Sequence, residues 1–317
     1  MFASVDLGGT TVACALASAD GRLIAERSIP TQSNEGPPAV LARIGELVKE
    51  LASETRGTPL ALGMGVPGLL DVERVRTRFL PNFPTQWRDV PVAATLAQQI
   101  GCPVFLLNDA RAATLGELVF GHGRSVATML FFTLGTGVGG GVVVDGKLRL
   151  GPLGAAGELG HQTVVTDGLL CGCGNRGCLE TLASGPAITA EGVRLMKSGL
   201  APKLFEIVRG EASAIGPKEM AMAAAGGEAT VRAAIVRAAR YLGIGAANLV
   251  TALHPELVVL GGGVAAIGNL LTDTVRDEIR QRVRMFPPDD VRVERSLLGD
   301  KAGIWGGIAL AMRRGEI

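Results

Sequence analysis

The residues best suited to bind a metal ion lie in one short segment of the chain. Three of the five cysteines fall between Cys171 and Cys178, and His161 precedes them by ten residues. A Cys₃His set is typical of tetrahedral structural zinc and leaves no open position for a reacting water. We therefore predict a structural zinc site formed by His161, Cys171, Cys173 and Cys178, with chance clustering of buried thiols as the alternative.

Two carboxylates flank this segment and would be fixed by it. Glu158 lies three residues before His161, and Glu180 lies two residues after Cys178. Each carboxylate can accept hydrogen bonds from adjacent hydroxyl groups, which suits a neutral polyol. The alternative is that both are ordinary surface glutamates.

Two glycine-rich turns suggest a phosphate site. The first is Asp6-Leu-Gly-Gly-Thr10-Thr11, and the second spans residues 134–141. A carboxylate at a strand end can hold a metal-bound water while backbone amides and hydroxyls approach a phosphate. Alone, the first turn would be an ordinary hairpin with a solvated Asp. Together, the two turns predict binding of a polyphosphate from both sides.

Other nucleotide-binding motifs fit poorly. Gly135 and Gly63 each begin a G-x-G-x-x-G match, but a dinucleotide fingerprint requires a helix after the glycines. The first match is followed by the β-like run 142–144, and the second contains Pro67. No G-x-x-x-x-G-K-[ST] occurs, which disfavours a Walker-type NTPase.

Asn108 and Asp109 follow a predicted strand, Val104 to Leu107. Side chains at the carboxyl ends of strands often contact ligands in α/β sheets. An Asp there could accept a hydroxyl proton, as phosphoryl transfer to an alcohol requires. Both residues are also good helix caps, and on local sequence alone the cap is the preferred interpretation.

The elements around these residues follow a pattern that occurs twice. A strand, a glycine turn, a strand, an Asp-Gly turn and a third strand open the chain, and the same series starts again near Thr128. The glycine turns are 127 residues apart and the Asp-Gly turns 125, which indicates a duplicated architecture. Further predicted elements are a helix over 40–51, strands over 60–66 and 257–260, a long helix over 219–253 and a final helix over 303–313.

Composition limits the classes of function. The 317 residues suit two domains of about 150 residues each. The chain has 31 basic and 30 acidic residues and only 4% aromatics, so neither nucleic acid nor an anionic membrane is an expected partner. The uncharged stretch 125–144 is interrupted by glycines and is not expected to span a membrane. No signal peptide is visible, and we expect a cytoplasmic protein.

In this order, the motifs resemble those of the ROK family of sugar kinases and sugar-responsive repressors, within the actin-like ATPase superfold. The resemblance implies an α/β fold of two actin-like (ribonuclease H-like) domains with a ligand cleft between them. The smaller domain would comprise residues 1–112 plus 300–317, and the larger, zinc-bearing domain residues 113–299. It also implies a homodimer or higher homo-oligomer.

The resemblance implies roles for individual residues. Asp109 would be the base that takes the proton from the sugar 6-hydroxyl. The sugar would be held by Gly68, Asn82, Asn108, Asp109, Glu158, His161 and Glu180, with His161 using one ring nitrogen for zinc and the other for the sugar. Mg-ATP would be bound at its phosphates by Asp6, Gly8, Gly9, Thr10, Thr11, Thr136 and Gly137, and at its nucleoside by Ser184, Gly185, Pro186, Gly261, Gly262 and Gly263.

One departure concerns the phosphate site. Many family members have Lys where this chain has Thr11, so a positive charge expected near the phosphates is missing. The first phosphate turn starts at residue 6, without the preceding DNA-binding segment of the family's repressors. The resulting prediction is an ATP-dependent hexose kinase of carbohydrate metabolism that acts on glucose. The alternatives are a kinase for N-acetylmannosamine or another hexose, and a sugar-sensing regulator without catalysis.

Overall fold

The computed structural model describes residues 1–71, 75–80 and 83–317. The chain divides into two compact units. The first unit comprises Met1–Ser125, Gly141–Gly157 and Lys301–Ile317, and the second comprises Val126–Gly140 and Glu158–Asp300. Residues 113–125 and 141–157 fall in the first unit, whereas the sequence prediction assigns them to the second domain. The boundaries of the two actin-like domains stay a prediction.

Strands and helices alternate along the chain in a mixed α/β arrangement. The strands are β1 (Phe2–Leu7), β2 (Thr11–Ala17), β3 (Leu23–Pro30), β4 (Leu62–Val66), β5 (Leu69–Asp71), β6 (Arg76–Phe79), β7 (Val104–Asn108), β8 (Met129–Leu134), β9 (Val138–Val144), β10 (Lys147–Leu148), β11 (Leu257–Gly261) and β12 (Arg292–Arg295). The α-helices are α1 (Pro37–Glu54), α2 (Val92–Ile100), α3 (Asp109–Phe120), α4 (Glu180–Ala183), α5 (Gly185–Lys197), α6 (Pro202–Ile207), α7 (Pro217–Ala225), α8 (Ala229–Leu253), α9 (Asn269–Arg282) and α10 (Ala302–Met312).

The two five-stranded sheets have the same order. The first runs β3-β2-β1-β4-β7, and the second runs β10-β9-β8-β11-β12. In each, the opening strand of the meander lies at the centre and is followed by two parallel strands. This correspondence confirms the repeated architecture expected from the spacing of the glycine and Asp-Gly turns.

The first sheet has an apolar core because its central strands are buried. In β1 and β4 almost every residue is buried, and the apolar face of α1 packs against the same core. Helix α10, which follows much later in the chain, packs closely against α3. A side chain at Gly306 would collide with the carbonyl oxygen of Ala112, so this close approach requires glycine.

The long helix predicted over 219–253 is wrong as a single element. It is two helices, α7 and α8, separated at Gly226 and Gly227. Gly227 has a φ of 91°, a conformation that ends a helix and that glycine adopts without strain. The alanine-rich composition on both sides concealed the break.

Among the residues that the structure describes, the helices do not combine the length and apolar character that crossing a membrane would require. The uncharged stretch 125–144 forms β8 and β9 instead.

Candidate functional site

The first glycine turn joins β1 to β2 and is closed by a hydrogen bond from the Gly8 N–H to the Thr11 carbonyl oxygen at 2.9 Å. Gly9 and Thr10 are exposed at its tip, as is Thr11. Thr31, the residue after β3, stabilises the turn, because its hydroxyl donates to the Gly8 carbonyl oxygen at 2.7 Å. Backbone amides and hydroxyls are therefore presented to solvent in a fixed loop. Sequence reasoning missed Thr31, whose bond depends on strand pairing.

Asp6 lies in β1 just before this turn, with space cleared around its carboxylate. An added Cβ at Gly65 of β4 would lie 3.3 Å from Asp6 Oδ1, and one at Gly303 of α10 would collide with Oδ2. Burial, and secondarily the charge of Asp109, raises the pKa of Asp6 to about 6. A carboxylate pair in which Asp109 raises the proton affinity of Asp6 also favours a nearby cation, and oxygen donors of this kind are those that Mg²⁺ prefers.

Asn108 ends β7 and caps α3, so the local prediction of a helix cap is confirmed. Its Oδ1 accepts the N–H of Ala110 at 3.0 Å and that of Arg111 at 3.3 Å. Its Nδ2 donates to the Gly68 carbonyl oxygen at 3.0 Å. Asp109 follows in the first turn of α3, half-buried, where the helix dipole stabilises its negative charge.

The structure therefore brings Asp6, Gly65, Asn108, Asp109 and Gly68 into one region of the first unit. Gly68 has a φ of 81° and contributes its carbonyl oxygen to Asn108. Asn82, a predicted sugar ligand, lies outside the residues that the structure describes.

The second glycine turn joins β8 to β9 and is closed by the Gly135 N–H, which donates to the Gly137 carbonyl oxygen at 2.9 Å. Thr136 is exposed at its tip. Glu180 packs on this turn, with Oε2 accepting the Val138 N–H at 3.0 Å. A side chain at Gly137 would collide with that same oxygen, so the glycine leaves room for the carboxylate.

A pocket of about 640 Å³ opens beside this turn, within the second unit. Its lining includes four residues predicted to contact the nucleotide, namely Thr136, Gly185, Pro186 and Gly263. It also includes Gly135, Thr189, Pro217, Lys218, Glu219 and Val264, which sequence reasoning did not select. Gly261 and Gly262 are also predicted to contact the nucleotide, and they lie in β11 and directly after it. Among the described residues, neither of them lines this pocket. The volume is that of a small-molecule site.

Gly185 holds the start of α5 against the second turn. Its N–H donates to the Gly135 carbonyl oxygen at 2.8 Å, and the preceding Ser184 caps α5 by accepting the Ala187 N–H. Lys218 and Glu219 reach the pocket because α7 begins at Pro217. The Gly216-Pro217 pair is a helix-start signal, but nothing in its spacing points to a ligand.

The four predicted zinc ligands converge. The ligand atoms of His161, Cys171, Cys173 and Cys178 all lie within 4.8 Å of one another. The Nδ1 of His161 is 3.6 Å from Cys171 Sγ, and the sulfurs of Cys173 and Cys178 are 3.7 Å apart. Sulfurs at about 2.3 Å from a tetrahedral zinc ion lie roughly 3.8 Å from one another, so the donor set fits zinc in both chemistry and spacing.

The protonation of these thiols depends on their burial. Burial raises the pKa of Cys171 and, to about 12, the pKa of Cys178. Cys173 is exposed, and a hydrogen bond from the Asn175 backbone lowers its pKa. Since zinc binds thiolates, the buried cysteines release protons when the metal is bound.

The segment also positions the two flanking carboxylates. His161 Nε2 lies 3.9 Å from Glu158 Oε2, while Nδ1 faces the cysteines, so the two ring nitrogens are directed to different partners. Cys171 Sγ lies 3.7 Å from Glu180 Oε1. The zinc-ligand segment and the second glycine turn thus hold Glu180 from opposite sides.

The fold and site describe a mixed α/β protein in which one sheet order occurs twice, each time with a glycine turn beside a carboxylate. Comparison with known proteins agrees, and the chain belongs to the ROK family, whose model matches residues 2–314. The glucokinase of Thermotoga maritima is 37% identical over 98% of this chain and 96% of its own length.

A second curated relative and a solved structure complete this comparison. The xylose repressor of Caldicellulosiruptor bescii is 32% identical over 97% of this chain and 77% of its own length. The crystal structure of a ROK family glucokinase from Streptomyces griseus, in complex with glucose and AMPPNP, superposes with a TM-score of 0.85 at 33% identity. The superposition covers 98% of this chain and 99% of the Streptomyces griseus chain. The similarity extends over the whole chain, so the fold is that of the two-domain actin-like ATPases.

Proposed function

We propose that this protein is an ATP-dependent hexose kinase that transfers the γ-phosphoryl group to the sugar 6-hydroxyl, with glucose as its preferred acceptor. The observation that carries the proposal is the pair Asp6 and Asp109, held close together beside an exposed glycine turn. The glucokinase relatives support the choice of glucose.

In this proposal, Asp109 accepts the proton of the sugar hydroxyl as that oxygen attacks phosphorus. Its place in the first turn of α3 fixes the carboxylate on a rigid element, as a general base requires. Asp6 would hold magnesium through a metal-bound water, and magnesium supplies neutralisation of the phosphate charge. The amides of both glycine turns are suited to the phosphate oxygens.

The nucleoside would occupy the pocket of about 640 Å³ beside the second turn. The sugar would be read by the carboxylates Glu158 and Glu180, by His161 and by the amide of Asn108. Zinc has a structural role here, because four protein ligands leave no position for a reacting water. Its effect is to fix the segment that carries these acceptors.

The test is ADP release by the purified protein with Mg-ATP across glucose, mannose, allose, fructose, N-acetylglucosamine and N-acetylmannosamine. We expect turnover with glucose to exceed that with the other sugars. Turnover confined to another sugar would keep the reaction and change the acceptor. If folded, zinc-loaded protein released no ADP with any of these sugars, the proposed kinase activity would be contradicted.

A regulator without catalysis is the second candidate, and the repressor relative favours it. Calorimetric titration of glucose with Mg-AMPPNP, combined with the ADP-release assay in Mg-ATP, separates the two. A regulator would bind glucose and form no ADP, whereas the kinase would do both. The presence of Asp109 and of two phosphate turns supports the kinase, because sensing alone requires neither.

A further inference from the structure

Arg111 lies on α3 two residues after Asp109, and its side chain is only 1% exposed. A guanidinium keeps its charge at any physiological pH and is rarely buried without hydrogen-bond partners. The groups that it contacts therefore indicate its role.

The guanidinium binds two consecutive backbone carbonyls. Its Nε donates to the Ala156 carbonyl oxygen at 2.9 Å, and its Nη2 donates to that of Ala155 at 3.0 Å. Two parallel donors at a fixed separation match two adjacent acceptors, which a lysine ammonium cannot reproduce. The third donor, Nη1, reaches Asn108 Oδ1 at 3.0 Å.

The two alanines belong to residues 149–157, which the structure describes as neither helix nor strand and which lead directly to Glu158. Gly151, Gly154 and Gly157 all have positive φ angles in this segment. Glycine-rich backbone loses much conformational freedom when it is ordered, so it needs external contacts to hold one conformation. Arg111 supplies two such contacts from inside the first unit.

Arg111 also determines which way the amide of Asn108 faces. A guanidinium only donates, so the Asn108 atom beside it must be the carbonyl oxygen. That oxygen also accepts the N–H groups of Ala110 and Arg111, while Nδ2 donates one hydrogen to Gly68. The amide can then offer a ligand one N–H donor and no comparable acceptor.

We propose that Arg111 is a positioning residue that fixes Asn108 as a hydrogen-bond donor to the sugar and holds residues 149–157 against the start of α3. The kinetic consequence rests on the proposed function. The ordering of the segment does not, because it follows from hydrogen bonds within the first unit.

The main test compares Arg111→Lys with Arg124→Lys. Arg124 follows the same helix and donates to the Phe120 carbonyl oxygen, but it is exposed, so its variant controls for the loss of a guanidinium at the surface. We expect Arg111→Lys to raise the KM for glucose about tenfold with a smaller change in kcat, as the loss of charge-assisted bonds suggests. Arg124→Lys should change neither constant.

Hydrogen exchange provides a readout that does not require catalysis. Amides of residues 150–157 should exchange about tenfold faster in Arg111→Lys, while amides of β1 keep their rates. Unchanged exchange together with an unchanged KM, in an active enzyme, would overturn the proposal. An inactive wild type would contradict the proposed function instead, and exchange would still decide whether Arg111 orders the segment.

Asn108→Asp tests the orientation without removing the buried charge. Aspartate keeps the cap and an acceptor for Arg111, so this variant should fold, but it lacks the N–H donor, including the one that reaches the Gly68 carbonyl oxygen. We expect its KM for glucose to rise as far as that of Asn108→Ala. A wild-type KM in Asn108→Asp would show that the sugar needs no N–H donor from Asn108, and the proposal would be wrong.

Discussion

The two five-stranded sheets have the same strand order, but the carboxylates beside their glycine turns are held by different means. In the first unit, Asp6 projects from the central strand itself, and Gly65 and Gly303 clear the space around it. In the second unit, Glu180 comes from a segment fixed by the predicted zinc ligands, and it accepts the Val138 N–H.

The difference separates two kinds of electrostatic environment. Asp6 has a carboxylate neighbour and a raised pKa, which is an environment that favours a bound cation. Glu180 accepts a backbone N–H through Oε2, which leaves its remaining lone pairs available to further hydrogen-bond donors. In the proposed function, Asp6 would therefore serve charge neutralisation and Glu180 would serve hydroxyl recognition.

The largest effect should be seen at the predicted zinc site. Zinc affinity should fall by about 10⁴-fold or more between pH 8 and pH 6, because thiols that are protonated in this range must release protons, at about tenfold per proton per pH unit. Competition with a chromophoric chelator at several pH values measures it. Cys173→Ala should lose the metal, and Cys102→Ala, outside the cluster, should keep it. An affinity independent of pH would contradict thiolate ligation.

The next effect concerns the proposed base of the first unit. Asp109→Asn should lower kcat by about 10²- to 10⁴-fold while glucose affinity changes little, because the amide keeps the shape and loses the proton acceptor. Steady-state kinetics and glucose titration measure the two quantities separately. Asp277→Asn, an exposed aspartate of α9, is the matched control. Wild-type turnover in Asp109→Asn would remove this residue from the mechanism.

The raised pKa of Asp6 predicts a cost in stability. A folded pKa of about 6 against an ordinary value of 3.8 means that the folded state binds more protons, so stability falls as the pH rises from about 4 to about 6. Below about pH 4 the free energy of unfolding carries no such penalty. Above about pH 6 the penalty reaches its full size, which is no more than about 3 kcal/mol.

Asp6→Asn should therefore raise the melting temperature above pH 6 in magnesium-free buffer and leave it unchanged near pH 4. Thermal unfolding of both proteins at several pH values checks this expectation. A variant that is less stable than the wild type at pH 7 would show that the Asp6 carboxylate is stabilised by its surroundings.

The smallest effects come from two matched glycine substitutions. Gly303→Ala should displace the Asp6 carboxylate and lower kcat, whereas Gly137→Ala should displace Glu180 and raise the KM for glucose. Each change should be about tenfold, as for the loss of one charged hydrogen bond. Gly172→Ala is the control, since an added Cβ there meets no atom within 4 Å. If both variants altered the same kinetic constant, the proposed division of roles between the units would fail.

Local patterns in the sequence were sufficient to predict several elements. The two opening hairpins, the strand before Asn108 and the convergence of the zinc ligands follow from short-range spacing and turn chemistry. The fold class is likewise confirmed. Strand β12 was missed because three of its four residues are charged, which conceals the alternation that normally marks a strand.

Long-range contacts could not be predicted. Arg111 is a charged residue on a helix, for which exposure is the ordinary expectation, and its carbonyl partners lie 44 and 45 residues away. Gly303 is placed against Asp6 only by the folded chain, and Lys218, which lines the pocket beside the second turn, belongs to no local motif. In each case the signal is a contact between segments distant in sequence.

The position of α10 has a consequence for the order of folding during synthesis. The hydroxyl of Ser4 donates to the Ile304 carbonyl oxygen, a contact that joins residues 300 positions apart. Because α10 packs against β1, β4 and α3, the core of the first unit stays incomplete until residues 302–312 have left the ribosome. Strands β1 and β4 are made before α10 and are fully covered only after it, so the nascent protein carries exposed apolar surface while the residues between them are translated.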